Sequence, residues 1–286
     1  MVTPSFNQAK FLETTILSVL GQGYPNLEYI LMDGGSTDGS VEIIERYADR
    51  FAHWQSAKDA GQSDALNQGF ARATGDILCW MNSDDFFLPG ALHRIAELLG
   101  PRVQEPALAY GACLFFDDAG RSAKVVRPQP HDPAILRTSA YIIQPSAFWT
   151  RPLWEKTGIL ENALHFAFDW EWFIRASSHA EFMQCPEIFS AYRQHAAHKT
   201  GSGGTRRQQE IIEVVRRFGT PGDIASFADA ATLIPALVRR QNLAALLSRW
   251  GHSAGQALAF LATPQLWSAA GKIRTARFER ARRMLS

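Results

Sequence analysis

The chain is 286 residues long with a formal net charge of +1, and 46% of its residues are hydrophobic and 20% charged. That length suits one sizeable α/β core with an appendage, and that balance excludes a disordered segment or a membrane-embedded bundle as the starting expectation. From Thr205 onward lysine and arginine outnumber aspartate and glutamate, so the tail is basic and the body before it net acidic. A general nucleic-acid binder carries its basic surface on its functional face, so no nucleic-acid partner is expected.

Cys79, Cys113 and Cys185 are far apart in apolar surroundings, which fits buried thiols rather than a disulfide framework or the close pairs of a zinc site. No apolar run reaches the length of a bilayer span, and Met1-Val2-Thr3-Pro4 has neither a basic leader nor an apolar core. The expected location is cytoplasmic.

Short β-rich runs alternate with helical patterns through the first half, the signature of parallel βαβ units. Val2-Thr3 opens a strand expected to break at Pro4, and Phe11, Leu12, Ile16, Val19 and Leu20 recur at helical spacing. Tyr29 to Met32 predicts a second strand ending at Asp33. The turn-forming Gly34-Gly35-Ser36-Thr37-Asp38-Gly39-Ser40 and a helix with Val41, Ile43, Ile44 and Tyr47 on its apolar face follow. Phe51 to Gln55 predicts a third strand, Ser63 to Ala73 a helix, and Ile77 to Met81 a buried fourth strand.

After Leu99 the pattern is less regular, with strands expected at Ala107 to Phe116 and Ala140 to Trp149 and a helix at Phe168 to Ala176. From Gln208 on helical patterns dominate, interrupted by Pro221, Pro235 and Pro264. The boundary is placed near Gly201-Ser202-Gly203-Gly204, which divides the chain into a domain 1–204 and a helical, basic extension 205–286.

In open α/β sheets ligands bind at the carboxyl ends of the strands, so the loops after strands one, two and four should line one crevice. Asn82-Ser83-Asp84-Asp85 follows the fourth strand, where one or both carboxylates can face that crevice. A hard cation such as Mg²⁺ or Mn²⁺ needs only one or two protein carboxylates when substrate phosphates supply the rest. The competing role for these acids is to cap the helix that begins near Pro89.

Phe168-Asp169-Trp170-Glu171-Trp172 sets two carboxylates among aromatics. Positions i and i+2 point about 200° apart on a helix, so only one of Asp169 and Glu171 faces a site. Apolar surroundings raise an aspartate's basicity from its value in water of about 3.9, which suits a general base, and the competing role is again a helix cap. Asp64, in the loop Lys58 to Asn67, opens a helix whose free amides favour anions, and Asp64 itself could simply complement the helix dipole. Tyr192-Arg193-Gln194-His195 and His198-Lys199-Thr200 gather cations and imidazoles in an expected loop.

The ordered series Thr3-Pro4-Ser5-Phe6-Asn7, Gly23 to Glu28, Asp33 to Gly39, Gly61-Gln62-Ser63-Asp64, Asn82 to Asp85, Gln144-Pro145-Ser146, Phe168 to Glu171 and Tyr192 to His195 resembles the inverting family 2 glycosyltransferases of GT-A fold. The resemblance implies a Rossmann-like, mixed but mainly parallel α/β sheet flanked by helices. Residues 1–100 would be its nucleotide-binding half, residues 101–204 its acceptor half, and the helical appendage would follow. It implies transfer of a sugar from a nucleotide-sugar donor, most simply a UDP-sugar, to a saccharide or lipid-linked saccharide acceptor in polysaccharide, lipopolysaccharide or glycolipid assembly.

By position, Pro4, Ser5, Asn7, Asp33 and Ser36 would border the nucleotide and Asp64, Asn82 and Ser83 the donor. Asp84 and His195 would hold Mg²⁺ or Mn²⁺, and Asp169 would be the base. Three departures stand out: Asn82 begins a motif that usually begins with aspartate, Gly34 replaces a second acid found in many members, and the first strand before Pro4 is short. Leu266 to Leu285 interleaves basic and apolar residues, compatible either with peripheral membrane contact or with a packed helix whose arginine face is solvated. The alternatives are a non-catalytic nucleotide- or saccharide-binding protein of the same fold, a nucleotidyltransferase, and a glycoside hydrolase using Asp84 with Asp169.

Overall fold

The computed structural model describes residues 1–120, 122–195, 199, 204–247, 259, 263 and 275–285. The expected boundary residues Gly201 to Gly203, together with His198, Thr200, Pro264 and the first part of the 266–285 pattern, lie outside the described residues. The chain forms two compact units, one of residues 1–133 and 141–202 and one of residues 134–140 and 203–286.

In the first unit, strands β1 (Val2–Ser5), β2 (Ile30–Asp33) and β3 (His53–Ser56) pair in parallel, β2 in the middle. Helices α1 (Ala9–Leu20), α2 (Ser40–Arg46) and α3 (Gln62–Arg72) connect these strands and lead on to the next. Their buried faces follow the apolar spacing, with Leu12, Ile16 and Val19 packed in one cluster with Leu31 and Ile44. Gly69 lets α3 lie close on β1, because a Cβ there would sit 2.5 Å from the Val2 Cγ1.

Pro4 does not break the first strand. Val2 donates to the Cys79 carbonyl and accepts from the Met81 amide, so alternate residues of β1 face residues 79–81. Pro4 faces that same side one step beyond the Met81 bond, so its missing amide ends the pairing with residues 79–81 and leaves the β1–β2 ladder intact through Ser5.

The expected fourth strand is split. Ile77–Leu78 (β4) pairs with β8 (Ala147–Thr150), while Trp80 bridges to Val2 and so joins the two sheets edge to edge. The second sheet runs β4-β8-β6-β9-β5, with β5 at Phe86–Phe87, β6 at Ala107–Asp117 and β9 at Glu181–Gln194. β7 (Ala123–Val126) hangs on β6 as a hairpin partner. β8 is antiparallel to both its neighbours, whereas β6 and β9 are parallel.

Helix α4 (Ala91–Leu99) follows β5, and the short helix α5 spans Pro133–Leu136. Helices α6 (Arg151–Thr157) and α7 (Phe168–Ala176) lie between β8 and β9. Tyr192 to Gln194, expected in a loop, form the end of β9. The strand expected over Ala140 to Trp149 is shorter, because Gln144–Ser146 makes a 3₁₀ turn before β8.

The second unit contains helices α8 (Gly204–Phe218), α9 (Pro221–Leu247) and α10 (Ala276–Leu285). Pro221 starts α9 rather than interrupting it, within a reciprocal cap in which the Thr220 hydroxyl and amide donate to Asp223 Oδ2 at 2.6 and 3.0 Å. Pro235 lies inside α9. On α10, Phe278, Ala281 and Leu285 are buried, while Arg282 pairs with Glu279 and Arg277 with Asp223. Among the described residues no helix is long and apolar enough to cross a membrane.

Candidate functional site

The loops after β1 and β2 are tied to one another. Asn7 takes a positive φ of 52°, unusual for a residue with a side chain, and donates its amide to Ser36 Oγ at 2.8 Å while its Oδ1 accepts the Thr37 amide at 3.0 Å. The next two amides, of Gln8 and Ala9, go to Ser40 Oγ and Asp38 Oδ2. The start of α1 is therefore capped from the second loop, since Gln8 supplies no side-chain cap of its own.

Asp33 is 1% exposed, and its carboxylate accepts the Gly35 and Ser36 amides and the Ser36 and Ser56 hydroxyls. Those four bonds fix the loop that carries Ser36. Pro4 and Ser5 are buried at the end of β1, and Ser5 Oγ has no hydrogen-bond partner among the described residues.

Gly34 has a structural reason. A Cβ there would lie 2.9 Å from Asp59 Oδ2 and 3.3 Å from the Phe6 ring, so the Asp59 carboxylate fills the space that a side chain at position 34 would use. Burial, with Asp64 and Asp33 nearby, pushes the Asp59 carboxyl up from its ordinary value against the opposing Gly61 amide bond. Phe6 beside it is 60% exposed, a large apolar ring left open at the crevice. Motif reading missed both Asp59 and Phe6; the signal was only an acid and an aromatic within otherwise polar loops. Asp64 Oδ2 accepts the Ala60 amide at 3.0 Å and Gln68 Nε2 at 2.9 Å, closing the loop before α3.

The acidic run does not cap α4, whose N-cap is Gly90 with no side-chain bond. Asp84 Oδ2 instead lies 3.1 Å from His195 Nε2, just past the end of β9. At that distance the two groups hydrogen-bond, and the Asp84 carboxylate is the kind of hard oxygen donor that could hold Mg²⁺ or Mn²⁺. Among the described residues no group of three or more His, Cys, Asp or Glu converges. Asp84 and His195 are the two side chains of that kind that meet at the end of β9.

Asp85 turns inward. It is buried, its Oδ1 accepts the Arg193 amide at 2.9 Å, and burial with the Asp84 charge beside it holds its carboxyl well above the usual carboxylate range.

Asn82 heads an amide chain. Its Oδ1 accepts Gln62 Nε2 at 2.8 Å, and its Nδ2 donates to Gln144 Oε1 at 3.3 Å and to Asp85 Oδ2 at 3.4 Å. Lys199 Nζ donates to Gln62 Oε1, and Gln144 Nε2 to the Trp80 carbonyl. A position that must accept on one side and donate toward Asp85 and Gln144 on the other is served by an amide; an ionised carboxylate there could accept but has no hydrogen to donate. Ser83 is buried between these groups in sequence.

Asp169 lies in the first turn of α7, half-buried, with Oδ1 accepting the Trp170 amide at 2.7 Å, while the N-cap is Ala167 without a side-chain bond. Lys199 stands 5.2 Å from the Phe168 ring beside it. Glu171 points elsewhere, 4% exposed and bidentate to Arg175 at 2.7 and 2.9 Å. Arg175 also donates to the Thr157 and Ile159 carbonyls, so it pins the segment before α7. Glu171→Ala is expected to cost about 2 kcal/mol of stability, since it leaves a partly buried guanidinium without its carboxylate. Urea denaturation reads this, and an unchanged midpoint would show the pair to be dispensable.

Residues 1–129 match the family model described as Glycosyl transferase family 2. An uncharacterised glycosyltransferase of Mycobacterium tuberculosis is 43% identical over 88 residues, 30% of this chain and 34% of that protein. One from Haemophilus influenzae is 34% identical over 130 residues, 44% of this chain and 51% of that protein. The chain thus spans about a third to a half of the length of these two relatives.

Among solved structures, S. aureus TarS 1-349 in complex with UDP-GlcNAc aligns with a TM-score of 0.55 at 16% identity, covering 76% of this chain and 64% of that one. Mannosyltransferase PcManGT from Pyrobaculum calidifontis, in complex with GDP-Man and Mn²⁺, aligns at 0.57 and 18%, covering 99% and 82%. At these identities the likeness establishes the fold. It is the mixed α/β GT-A fold with C-terminal helices that the motif series implied.

Proposed function

From the premise that residues 1–129 match Glycosyl transferase family 2, we propose that the chain transfers a sugar from a nucleotide-sugar donor to an acceptor hydroxyl, with inversion at the anomeric carbon. The observation that carries this reading is the Asp84–His195 pair, 3.1 Å apart just past the end of β9, beside the tied loops of Asn7 and Ser36 that follow β1 and β2 of the neighbouring sheet. UDP-GlcNAc and GDP-Man in the two structural relatives favour a UDP- or GDP-sugar donor.

Pro4, Ser5, Asn7 and Ser36 border the nucleotide, and Phe6 offers its exposed ring to the base. Asp33 acts through the loop it organises, and Asp64, Asn82 and Ser83 line the donor side. Asp84 and His195 would hold Mg²⁺ or Mn²⁺, and a bound ion would supply charge stabilisation to the departing diphosphate. Asp169 takes the proton of the acceptor hydroxyl as its oxygen attacks, and the sugar–phosphate bond breaks on the opposite face. The acceptor is a saccharide or lipid-linked saccharide of the cell envelope, and because the apolar face of α10 is buried, any peripheral contact of the basic 205–286 region with an anionic membrane would run through its solvated arginines.

A ligand that binds the native state raises its melting temperature. UDP or GDP is expected to do so with Mn²⁺ and to lose the effect with chelator. A panel of nucleoside diphosphates and nucleotide sugars that leaves the melting temperature unmoved in either condition would overturn the donor-site reading.

A further inference from the structure

We propose that Arg193 is a positioning residue that aims Asp84 at His195, a role that rests on the metal-assisted reading of that pair. The end of β9 meets the acidic loop through three contacts from one short segment. The Arg193 amide donates to Asp85 Oδ1 at 2.9 Å, the Arg193 Nε donates to the Asp84 carbonyl at 3.0 Å, and His195 Nε2 lies 3.1 Å from Asp84 Oδ2. The backbone of Asp84 and the side chain of Asp85 are thus fixed by the same residue, two positions before the imidazole that shares Asp84.

The guanidinium is itself immobilised. Its carbon lies 4.8 Å from the centre of the Phe11 ring, 4.9 Å from Phe116 and 5.7 Å from Phe86, and Nη1 donates to Asp118 Oδ1 at 2.9 Å. Asp118 is held in turn by Lys10 at 2.6 Å. Phe11 also packs against the His195 ring at 4.5 Å, so one aromatic ring contacts both the guanidinium and the imidazole.

This geometry needs arginine rather than any cation. A planar fork can donate Nε to a carbonyl and Nη1 to a carboxylate while lying against rings; an ammonium is a point charge and cannot span both. The contacts of Arg193 are with Asp85, the Asp84 carbonyl, Asp118 and three rings, so it acts through the direction it gives Asp84. Outer partners that orient metal ligands typically contribute about 10–100-fold to metal affinity.

The test uses the full chain and its Arg193→Lys and Asp118→Asn variants. Mn²⁺ binding is titrated by electron paramagnetic resonance with UDP and with GDP, beside donor kinetics at rising Mn²⁺. Arg193→Lys is expected to weaken Mn²⁺ binding about 10–100-fold and to raise the apparent donor KM, with kcat recovering to within about threefold at saturating Mn²⁺. Asp118→Asn, which removes only the outer anchor, shifts Mn²⁺ binding the same way by less and decides the matter if Arg193→Lys does not fold.

Wild-type Mn²⁺ affinity in folded Arg193→Lys, or a kcat loss that saturating Mn²⁺ leaves in place, overturns the positioning role alone. Absence of nucleotide-linked Mn²⁺ binding in the unsubstituted protein overturns the metal reading, and this role with it.

Discussion

Asp169→Asn is expected to lower sugar transfer by about 10²–10⁴-fold, the usual contribution of a positioned general base, while leaving nucleotide binding within about twofold. The substitution is conservative for the fold, because an amide oxygen can still accept the Trp170 hydrogen bond that Asp169 Oδ1 accepts. What is lost is the negative charge and the capacity to take a proton. The measurement is nucleoside diphosphate release at saturating donor and acceptor, beside a binding titration with the same nucleotide. Full transfer by the variant would remove Asp169 as the base. Equal loss of binding and turnover would mean that the residue shapes the site instead. Glu171 is the internal control, since its carboxylate is occupied by Arg175 and its loss should act on stability.

Asp84→Ala is expected to abolish the effect of Mn²⁺ on donor binding and to lower transfer by about 10²-fold or more, the scale seen when a group that stabilises developing charge is removed. The acidic loop should survive, because Arg193 holds Asp84 by its backbone carbonyl and Asp85 by its carboxylate. Removing the Asp84 charge also relieves one of the two causes that raise the Asp85 carboxyl. Calorimetric titration of Mn²⁺ with nucleotide reads the first effect and diphosphate release the second. A variant that retains Mn²⁺-dependent donor binding would show that the ion sits elsewhere.

The two halves of the chain were not equally legible. In the first, β2 is an apolar run ending at turn residues and α1, α2 and α3 each carry a buried stripe, so local pattern and final position agree there. Pro4 misled because its missing amide is directed at residues 79–81, far along the chain, and so spares the ladder to β2 that continues through Ser5.

β9 was invisible as a strand. Pro186 interrupts it, its polar and apolar residues do not alternate cleanly, and its stability comes from parallel pairing with β6. The sequence pointed to the acidic run and the Asp169 helix as places of interest. It could not separate an acid that meets a partner side chain from a cap, because that depends on His195 arriving from the end of β9. The Asn82 amide chain was equally hidden: the exchange of aspartate for asparagine looked like a weakness until Gln62, Gln144 and buried Asp85 supplied the reason.

The loop-to-loop bonds of Asn7, Gln8 and Ala9 bear on how a ligand would enter. A flexible binding loop must lose its conformational entropy when the ligand arrives, and this lowers affinity and can slow association. Here the amides that would otherwise point freely from the start of α1 are already spent on Ser36, Ser40 and Asp38, and Asn7 already holds its left-handed backbone. The wall of the crevice is ordered when the protein folds. A nucleotide would therefore meet a surface that needs little rearrangement, and encounter rather than loop closure would set the pace of its binding.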